Sequence, residues 1–150
     1  DTPEAILSKP INKFVRDFVG TDRALKRLSR IGINRIAKPA VSVRLAMSSA
    51  EAIAGGGGSR WYWVVDDSER LLGWADRDDL QRTSSVREAV HLADATEIAL
   101  EEGATLREAL SRMLGLGFKF VPVIDEEGRL TGEVALGDVE SATREGGSAP

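Results

Sequence analysis

Two stretches of this 150-residue chain share one pattern, and their spacing restricts the fold more than any other feature. The segments RLLGWADRDDL and RLTGEVALGDV both read as the end of a turn, a strand and the start of a helix. Gly73 and Gly132 stand 59 residues apart, and so do Asp79 and Asp138. The same spacing at two pairs of positions indicates a duplicated structural unit.

Each copy of this unit predicts a strand, a helix, a two-stranded hairpin and a second helix. In the first copy, AVSVRL alternates as a half-buried strand does, and Ser48 and Glu51 have the spacing of a helix capping box. WYWVV and RLLGWA flank the polar turn DDSE and predict the hairpin. In the second copy, TEIALEEGA is the predicted strand, Thr105 and Glu108 repeat the capping box, and FKFVPVIDEEGRLTGEV predicts the hairpin. One such unit has little core of its own, so we expect the pair to fold together.

These patterns divide the chain into five expected segments. The two repeats are expected at residues 40–84 and 96–143, joined by a linker at residues 85–95. Short helices are expected within residues 1–39, and on their own they would be marginal in water. Residues 144–150 are expected to form a flexible tail. The predicted fold class is α+β.

Charge is unevenly distributed between the first segment and the rest of the chain. Residues 1–39 carry nine basic and four acidic side chains, a net charge of +5, whereas residues 40–150 carry a net charge of −9. Thr2 starts a predicted helix, and Phe14 and Phe18 lie on one helical stripe further along. Because this basic arm has no aromatic stacking pattern and no nucleic-acid motif, we expect no nucleic-acid partner. No apolar run approaches the ~20 residues that span a bilayer.

The residues that usually carry chemistry are sparse. The chain has no cysteine, and His91 is its one histidine, so we expect no metal site. No Ser-His-Asp arrangement has support, and we expect no catalytic residue. The run of four glycines lacks the lysine of a phosphate-binding loop, and the sequence contains no Gly-Lys dipeptide. We therefore expect no enzyme activity from this chain.

Three tryptophans form the most distinctive aromatic group. Trp61 and Trp63 point to the same face of their predicted strand, and Trp74 lies on the strand that pairs with it. Such a group can cage a quaternary ammonium ion. We favour the alternative that these rings fill core space or form a dimer contact.

The repeat resembles the cystathionine-β-synthase (CBS) domain. In the second copy the resemblance is carried by TLREALSRML, FVPVIDEEGRLTG and GDV, and in the first by WVVDDSERLLGWADRDDL. It implies an α+β tandem CBS-domain pair, with two strand-helix-strand-strand-helix repeats related by pseudo-two-fold symmetry and preceded by short helices. The first copy departs from the pattern in its shortened first helix.

The N-terminal segment carries a second resemblance. It is similar to the end of the nucleotide-binding domain in ATP-binding subunits of glycine betaine/proline/choline-type ABC importers, where P-x-N-x-F-V-x-x-F-V-G and D-R-x-L lead into a CBS pair. The residues that match are Thr2, Pro3, Pro10, Asn12, Phe14, Val15, Phe18, Val19, Gly20, Asp22, Arg23 and Leu25. The resemblance implies a regulatory and dimerisation module of an osmoprotectant importer.

This resemblance also implies partners, a location and signals. The partners are a second copy in a homodimer, the ATPase domain of the same subunit and a transmembrane permease. The location is cytoplasmic, on the inner face of the plasma membrane. The family implies two signals, ionic strength and a bound nucleotide, and the basic arm could contact anionic lipid. The tail SATREGGSAP is not strongly anionic, unlike the tail of some relatives, which weakens the ionic-strength interpretation.

The resemblance finally implies where a nucleotide would bind. In many CBS pairs a [ST]-x-x-[DN] motif serves an adenosine nucleotide: the hydroxyl and the helix N-terminus hold phosphate, and the carboxylate accepts from the ribose hydroxyls. Asp79 and Asp138 match the ribose position, so an adenine nucleotide or cyclic di-AMP is the ligand class to expect. Asp76 and Ala135 replace the hydroxyl, and Asp76 would repel a phosphate. Helix N-terminal capping is the alternative role for Asp79 and Asp138.

Overall fold

The computed structural model describes residues 22–56 and 59–148. The helix start predicted at Thr2 and the stripe of Phe14 and Phe18 lie outside these residues. The described part of the chain contains α-helices, one short 3-10 helix and strands that form two sheets. In the same part, no helix combines the length and the apolar character needed to cross a membrane.

The described elements follow the strand-helix-strand-strand-helix order that the duplication predicted. The first elements in chain order are α1 (Asp22–Leu28), the 3-10 helix (Ile33–Arg35), β1 (Ser42–Arg44), α2 (Ser49–Gly55), β2 (Trp61–Val65), β3 (Leu71–Asp76), α3 (Arg77–Arg82) and α4 (Val86–Ala89). They are followed by β4 (His91–Leu92), α5 (Ala95–Ile98), β5 (Leu100–Glu101), α6 (Leu106–Leu116), β6 (Phe120–Ile124), β7 (Leu130–Ala135) and α7 (Leu136–Ser148). The predicted α+β class, with two repeats of the same element order, is confirmed.

Two boundaries differ from the sequence patterns. TEIALEEGA was predicted as one strand, but its start is helical, because the Asp94 side chain accepts hydrogen bonds from the Thr96 N–H at 2.9 Å and its hydroxyl at 2.7 Å. The strand begins only at Leu100. At the other end, α7 continues to Ser148, through most of the segment expected to form a tail.

The first sheet has the order β1-β2-β3-β4, and the second has the order β5-β6-β7. In the first sheet β1 runs parallel to β2, while β2 and β3 form the predicted antiparallel hairpin with Trp63 opposite Trp74. β4 adds to the outer edge of β3, and this pairing places His91 opposite Trp74. The segment expected as a linker thus supplies a strand to the sheet.

Helix starts agree with the predicted capping residues. Ser48 accepts from the Glu51 N–H at 3.1 Å, and Glu51 accepts in return from the Ser48 N–H at 3.2 Å, so this capping box is confirmed. Thr105 accepts from the Glu108 N–H at 3.2 Å at the start of α6. The first-copy helix α2 has 7 residues and its counterpart α6 has 11, which confirms that the first copy is shortened.

The two hairpin turns repeat the same hydrogen bonds 59 residues apart. Asp66 Oδ1 accepts from the N–H groups of Ser68 at 2.8 Å and Arg70 at 3.0 Å. Asp125 Oδ1 accepts from the N–H groups of Glu127 and Arg129, both at 2.9 Å. Each Asp side chain closes its turn on the backbone, as Asp does in tight turns. The duplication inferred from the sequence is therefore visible in individual bonds.

The chain divides into two compact units, each built from separate stretches. One unit contains the described residues 22–38, 100–123 and 133–148, and the other contains residues 39–56, 59–99 and 124–132.

The first unit has a core supplied by α1, the 3-10 helix, β5 to β7, α6 and α7. In α6 the buried positions recur at helical spacing, and they are Leu106, Ala109, Leu110 and Met113. Leu28 and Ile33, from the segment that precedes the repeats, are fully buried in the same core. Part of the N-terminal segment is therefore integral to this unit.

The second unit has its own core, formed by residues from β1, α2, β2, β3, α3 and α4. Its centre contains the fully buried Tyr62, whose hydroxyl donates to the Ser59 carbonyl at 2.6 Å. A side chain at Gly56 would collide with the Tyr62 ring, so at least this glycine of the four-glycine run is required by close packing.

Candidate functional site

The predicted ribose carboxylate of the first copy, Asp79, lies in the first turn of α3. β3 leads directly into this helix, and Asp76 is its N-cap, with Asp76 Oδ1 accepting from the Asp79 N–H at 2.7 Å. Helix N-terminal capping was the alternative to ribose binding for Asp79, but the residue that caps α3 is Asp76. The side chain of Asp79 is therefore free to point elsewhere, and its Oδ2 lies 2.9 Å from Nε2 of His91.

His91 is positioned by the sheet rather than by neighbouring residues in the sequence. β4 places it opposite Trp74, and the two rings stack with centroids 5.4 Å apart and planes inclined by 22°. About half of its side-chain surface is exposed, at 50%. In the sequence His91 stands isolated, because the strand pairing between β3 and β4 that brings it to Asp79 leaves no local signal.

The tryptophans form a continuous group next to this histidine. Trp61 and Trp74 stack with centroids 5.6 Å apart and an interplanar angle of 14°, and Trp61 meets Trp63 edge to face at 5.8 Å. Trp63 is fully buried, whereas Trp61 and Trp74 are partly exposed. The rings occupy each other's faces, which favours packing over the cage for a quaternary ammonium ion.

Three groups that can bind a cation meet at this point. One ligand atom each from Asp76, Asp79 and His91 lies within 4.8 Å of the other two. Two carboxylates at one point oppose the approach of a phosphate. The first copy thus has an aspartate at each of the two motif positions, Asp76 at the predicted hydroxyl position and Asp79 at the predicted ribose position.

The predicted ribose carboxylate of the second copy, Asp138, has a different neighbour. It lies in the first turn of α7, and its Oδ2 is 3.3 Å from Nζ of Lys38. This oxygen is buried, although the side chain as a whole is 40% exposed. Ala135, at the hydroxyl position, is buried just before the helix and offers no hydrogen-bonding side chain.

Lys38 reaches Asp138 because its backbone is attached to β7. The Lys38 N–H donates to the Glu133 carbonyl at 3.0 Å, and the Glu133 N–H donates back to Lys38 at 2.8 Å. A residue from the segment before the repeats therefore extends the edge of β7. Its ammonium group compensates the charge of the Asp138 carboxylate.

The second hairpin turn carries a compact charged network. Arg129 Nε donates to Asp125 Oδ2 at 2.8 Å, and Arg129 Nη2 lies 3.3 Å from Glu127 Oε2. Burial is the largest influence on the pKa of Asp125 and acts to raise it, but hydrogen bonds from Arg129 and Glu127 together hold the pKa below its usual value. The same hydrogen bond to Asp125 raises the pKa of Arg129.

The fold and the duplicated unit define the class of protein. Residues 89–145 match the sequence model of the CBS domain, so this part of the chain belongs to the CBS-domain family. The described residues of both copies have the fold of a CBS pair. A solved structure, the cytosolic domain of the Mg2+ channel MgtE in complex with ATP, aligns with a TM-score of 0.63 and 26% identity, over 80% of this chain and 52% of that one.

Curated relatives narrow the comparison to transport proteins. The osmoprotectant import ATP-binding protein OsmV of Salmonella typhimurium is 30% identical over 138 residues, 89% of this chain and 36% of that protein. The glycine betaine/carnitine/choline transport ATP-binding protein OpuCA of Bacillus subtilis is 31% identical over 142 residues, again 89% of this chain and 36% of that protein. The chain spans about a third of the length of the curated relatives it matches.

Proposed function

We propose that this chain is the regulatory and dimerisation module of the ATP-binding subunit of an osmoprotectant ABC importer. The observation that carries the proposal is the extent of the similarity: 89% of the chain aligns at 30–31% identity with two ATP-binding proteins of transport systems. The similarity therefore extends beyond the residues matched by the CBS family alone. The chain acts by control rather than by chemistry of its own.

The proposed assembly follows from this role. A second copy pairs with the module through its CBS repeats, the ATPase domain precedes it in the same subunit, and a transmembrane permease completes the importer at the inner face of the plasma membrane. The basic arm of residues 1–39 contacts anionic lipid or an acidic partner. A signal needs to favour one arrangement of the attached ATPases by about 1–3 kcal/mol to change transport.

Ionic strength is the first proposed signal. Residues 1–39 carry a net charge of +5 and the remaining residues a net charge of −9, and salt weakens the attraction between exposed charges of opposite sign. The test is transport by the complete importer in proteoliposomes across a salt series. The comparison is a subunit that ends at residue 21, so that it lacks the CBS repeats and keeps the ATPase domain proposed to precede them. We expect the truncation to change the salt response while ATP hydrolysis persists. Identical salt responses would refute the proposal.

The alternative function is a sensor that binds an adenine nucleotide or cyclic di-AMP. Support comes from Asp138, which keeps the ribose carboxylate, and from the ATP bound in the related MgtE structure. Lys38 beside Asp138 also brings a cation to this site, which suits an anionic ligand better than the acidic surroundings of Asp79 do. The second copy is therefore the better candidate.

Calorimetry with AMP, ATP and cyclic di-AMP tests this alternative. We expect binding that Asp138→Asn weakens and that Asp79→Asn leaves unchanged, because Lys38 brings a positive charge to Asp138, whereas Asp76 brings a second negative charge to Asp79. The Asn variants keep the shape of the side chain, so a change in affinity reports the lost charge. No heat and no thermal shift with any of the three nucleotides at millimolar concentration would exclude the sensor and leave ionic regulation.

A further inference from the structure

We propose that Asp76, Asp79 and His91 form a binding site for a borderline divalent cation such as Zn2+, Ni2+ or Co2+. The three side chains come from the end of β3, the first turn of α3 and the edge strand β4, and one ligand atom of each lies within 4.8 Å of the others. This inference does not depend on the proposed role in transport. It concerns a cation, whereas the nucleotide motif concerns an anion.

Each of the three donors is held in place by a separate local interaction. Asp76 is fixed because its Oδ1 caps α3 through the Asp79 N–H at 2.7 Å, which leaves its other oxygen for a ligand. The His91 ring is held against the Trp74 ring at 5.4 Å. Asp79 Oδ2 already points at His91 Nε2 at 2.9 Å. A site that needs little rearrangement binds its ligand more tightly than one that is ordered only on binding.

The donor set selects the kind of metal. One imidazole nitrogen and two carboxylate oxygens suit Zn2+, Ni2+ and Co2+, because these ions accept nitrogen ligands readily. Mg2+ and Ca2+ prefer oxygen ligands alone and gain little from His91. When a metal occupies Nε2, any proton on that nitrogen is released to solvent, and the hydrogen bond to Asp79 is replaced by a bond from each group to the metal.

The electrostatics of the site favour a cation despite the helix that begins there. The N-terminus of α3 carries a partial positive charge equivalent to roughly half an elementary charge, which opposes a cation. Two carboxylates bring a much larger negative charge, and α3 has only 6 residues. Asp76 is decisive, because the CBS nucleotide motif has a hydroxyl at this position and the acidic replacement changes the preferred ligand from anion to cation.

Calorimetric titration of Zn2+ into the tag-free chain tests the proposal. We expect one equivalent to bind, and we expect His91→Gln and Asp76→Asn each to weaken binding by about tenfold or more. Both variants are conservative: Gln can still bond Asp79, and Asn is as good a helix N-cap as Asp. Asp67→Asn, which removes the same charge from an exposed turn, is the matched control and should bind as the wild type does.

A second measurement uses the tryptophan that stacks on the proposed ligand. Ni2+ bound at His91 should quench the fluorescence of the tryptophan group, and His91→Gln should abolish this quenching while circular dichroism shows an unchanged fold. Absence of both heat and quenching in the wild type would overturn the proposal. So would equal Zn2+ affinity in the wild type and both site variants, or displacement of Zn2+ by Mg2+ at equal concentration.

Discussion

Arg70 and Arg129 lie opposite each other in an antiparallel bridge between the tips of the two hairpins. The Leu71 N–H donates to the Gly128 carbonyl at 3.0 Å, and the Leu130 N–H donates to the Glu69 carbonyl at 2.9 Å. Leu130 is the counterpart of Leu71, and Gly128 is the counterpart of Glu69, each 59 residues further along the chain. The two bonds are therefore equivalent, and each hairpin acts once as donor and once as acceptor. The hairpin tips are therefore related by a local two-fold rotation, which is the symmetry expected of a CBS pair.

The two turns that form this bridge use the same backbone conformation with different residues. Gly128 has a φ of 83°, in the region that favours glycine, and its counterpart Glu69 has a φ of 68°. A side chain in this region costs ~1–2 kcal/mol. We therefore expect Glu69→Gly to raise the free energy of unfolding by up to about 1 kcal/mol, after the greater entropy of glycine in the unfolded chain is counted. Urea denaturation measures this.

The reciprocal variant is Gly128→Ala, which should lower the free energy of unfolding by ~1–2 kcal/mol. Nothing lies within 4 Å of a Cβ at Gly128, so any loss reports conformation and not collision. A stabilising effect of Gly128→Ala would contradict the symmetric role of the two positions.

Gly73 is required for a different reason. A side chain at Gly73 would collide with the backbone carbonyl of His91 on the neighbouring strand. Gly73→Ala should therefore push β4 away from β3 and lower the free energy of unfolding by about 1–3 kcal/mol. The separation of His91 from Trp74 should also change tryptophan fluorescence. Gly103→Ala, where a side chain meets nothing within 4 Å, should leave both measurements close to those of the wild type.

The charged network of the second turn predicts a dependence on pH. Because hydrogen bonds hold the pKa of Asp125 below its usual value, this carboxylate contributes stability that is complete above the unfolded pKa of about 3.9 and is lost as the pH falls through the lower folded pKa. Asp125→Asn should thus be less stable than the wild type at pH 7, and the difference should shrink below about pH 4.

Thermal denaturation of the wild type and the Asn variant across this pH range checks the prediction. Asp67→Asn controls for the change in net charge. A difference between the Asp125 variant and the wild type that stays constant down to pH 2 would show that the carboxylate charge has no part in it.

The N-cap of α3 predicts a clear contrast between two substitutions. Asp76 accepts from the Asp79 N–H at 2.7 Å, so Asp76→Ala should lower the free energy of unfolding by about 0.5–2 kcal/mol. Asp76→Asn should change it little, because Asn caps helices as well as Asp does. Guanidinium denaturation of the three proteins distinguishes them. Equal losses for Ala and Asn would show that the charge, and not the cap, stabilises this turn.

The buried part of the N-terminal segment can be tested at Leu28. This residue is fully buried in the core of the first unit, against strands and helices of the second repeat. Leu28→Ala should lower the free energy of unfolding by about 2–5 kcal/mol, whereas Lys26→Ala on the exposed side of α1 should have little effect. A small effect of Leu28→Ala in urea denaturation would mean that α1 is not part of the folded unit.

The sequence by itself determined the duplicated unit, its order of elements and the local structure of its turns. The hairpins, the capping box of Ser48 and Glu51 and the helix that follows β3 all depend on residues a few positions apart. Because the interacting residues lie a few positions apart in the chain, these local structures can be predicted from the sequence. The same local rules explain the one misassigned strand, where the Asp94 cap made residues after it helical.

Only the tertiary structure decided which distant side chains meet. His91 reaches Asp79 because β4 pairs with β3, and Lys38 reaches Asp138 because its backbone joins the edge of β7. Neither contact follows from spacing along the chain, since strand pairing joins residues through backbone hydrogen bonds that almost any side chain allows. The sequence therefore supplied the two carboxylates of the candidate sites, and the fold supplied the imidazole and the ammonium group that give them different chemistry.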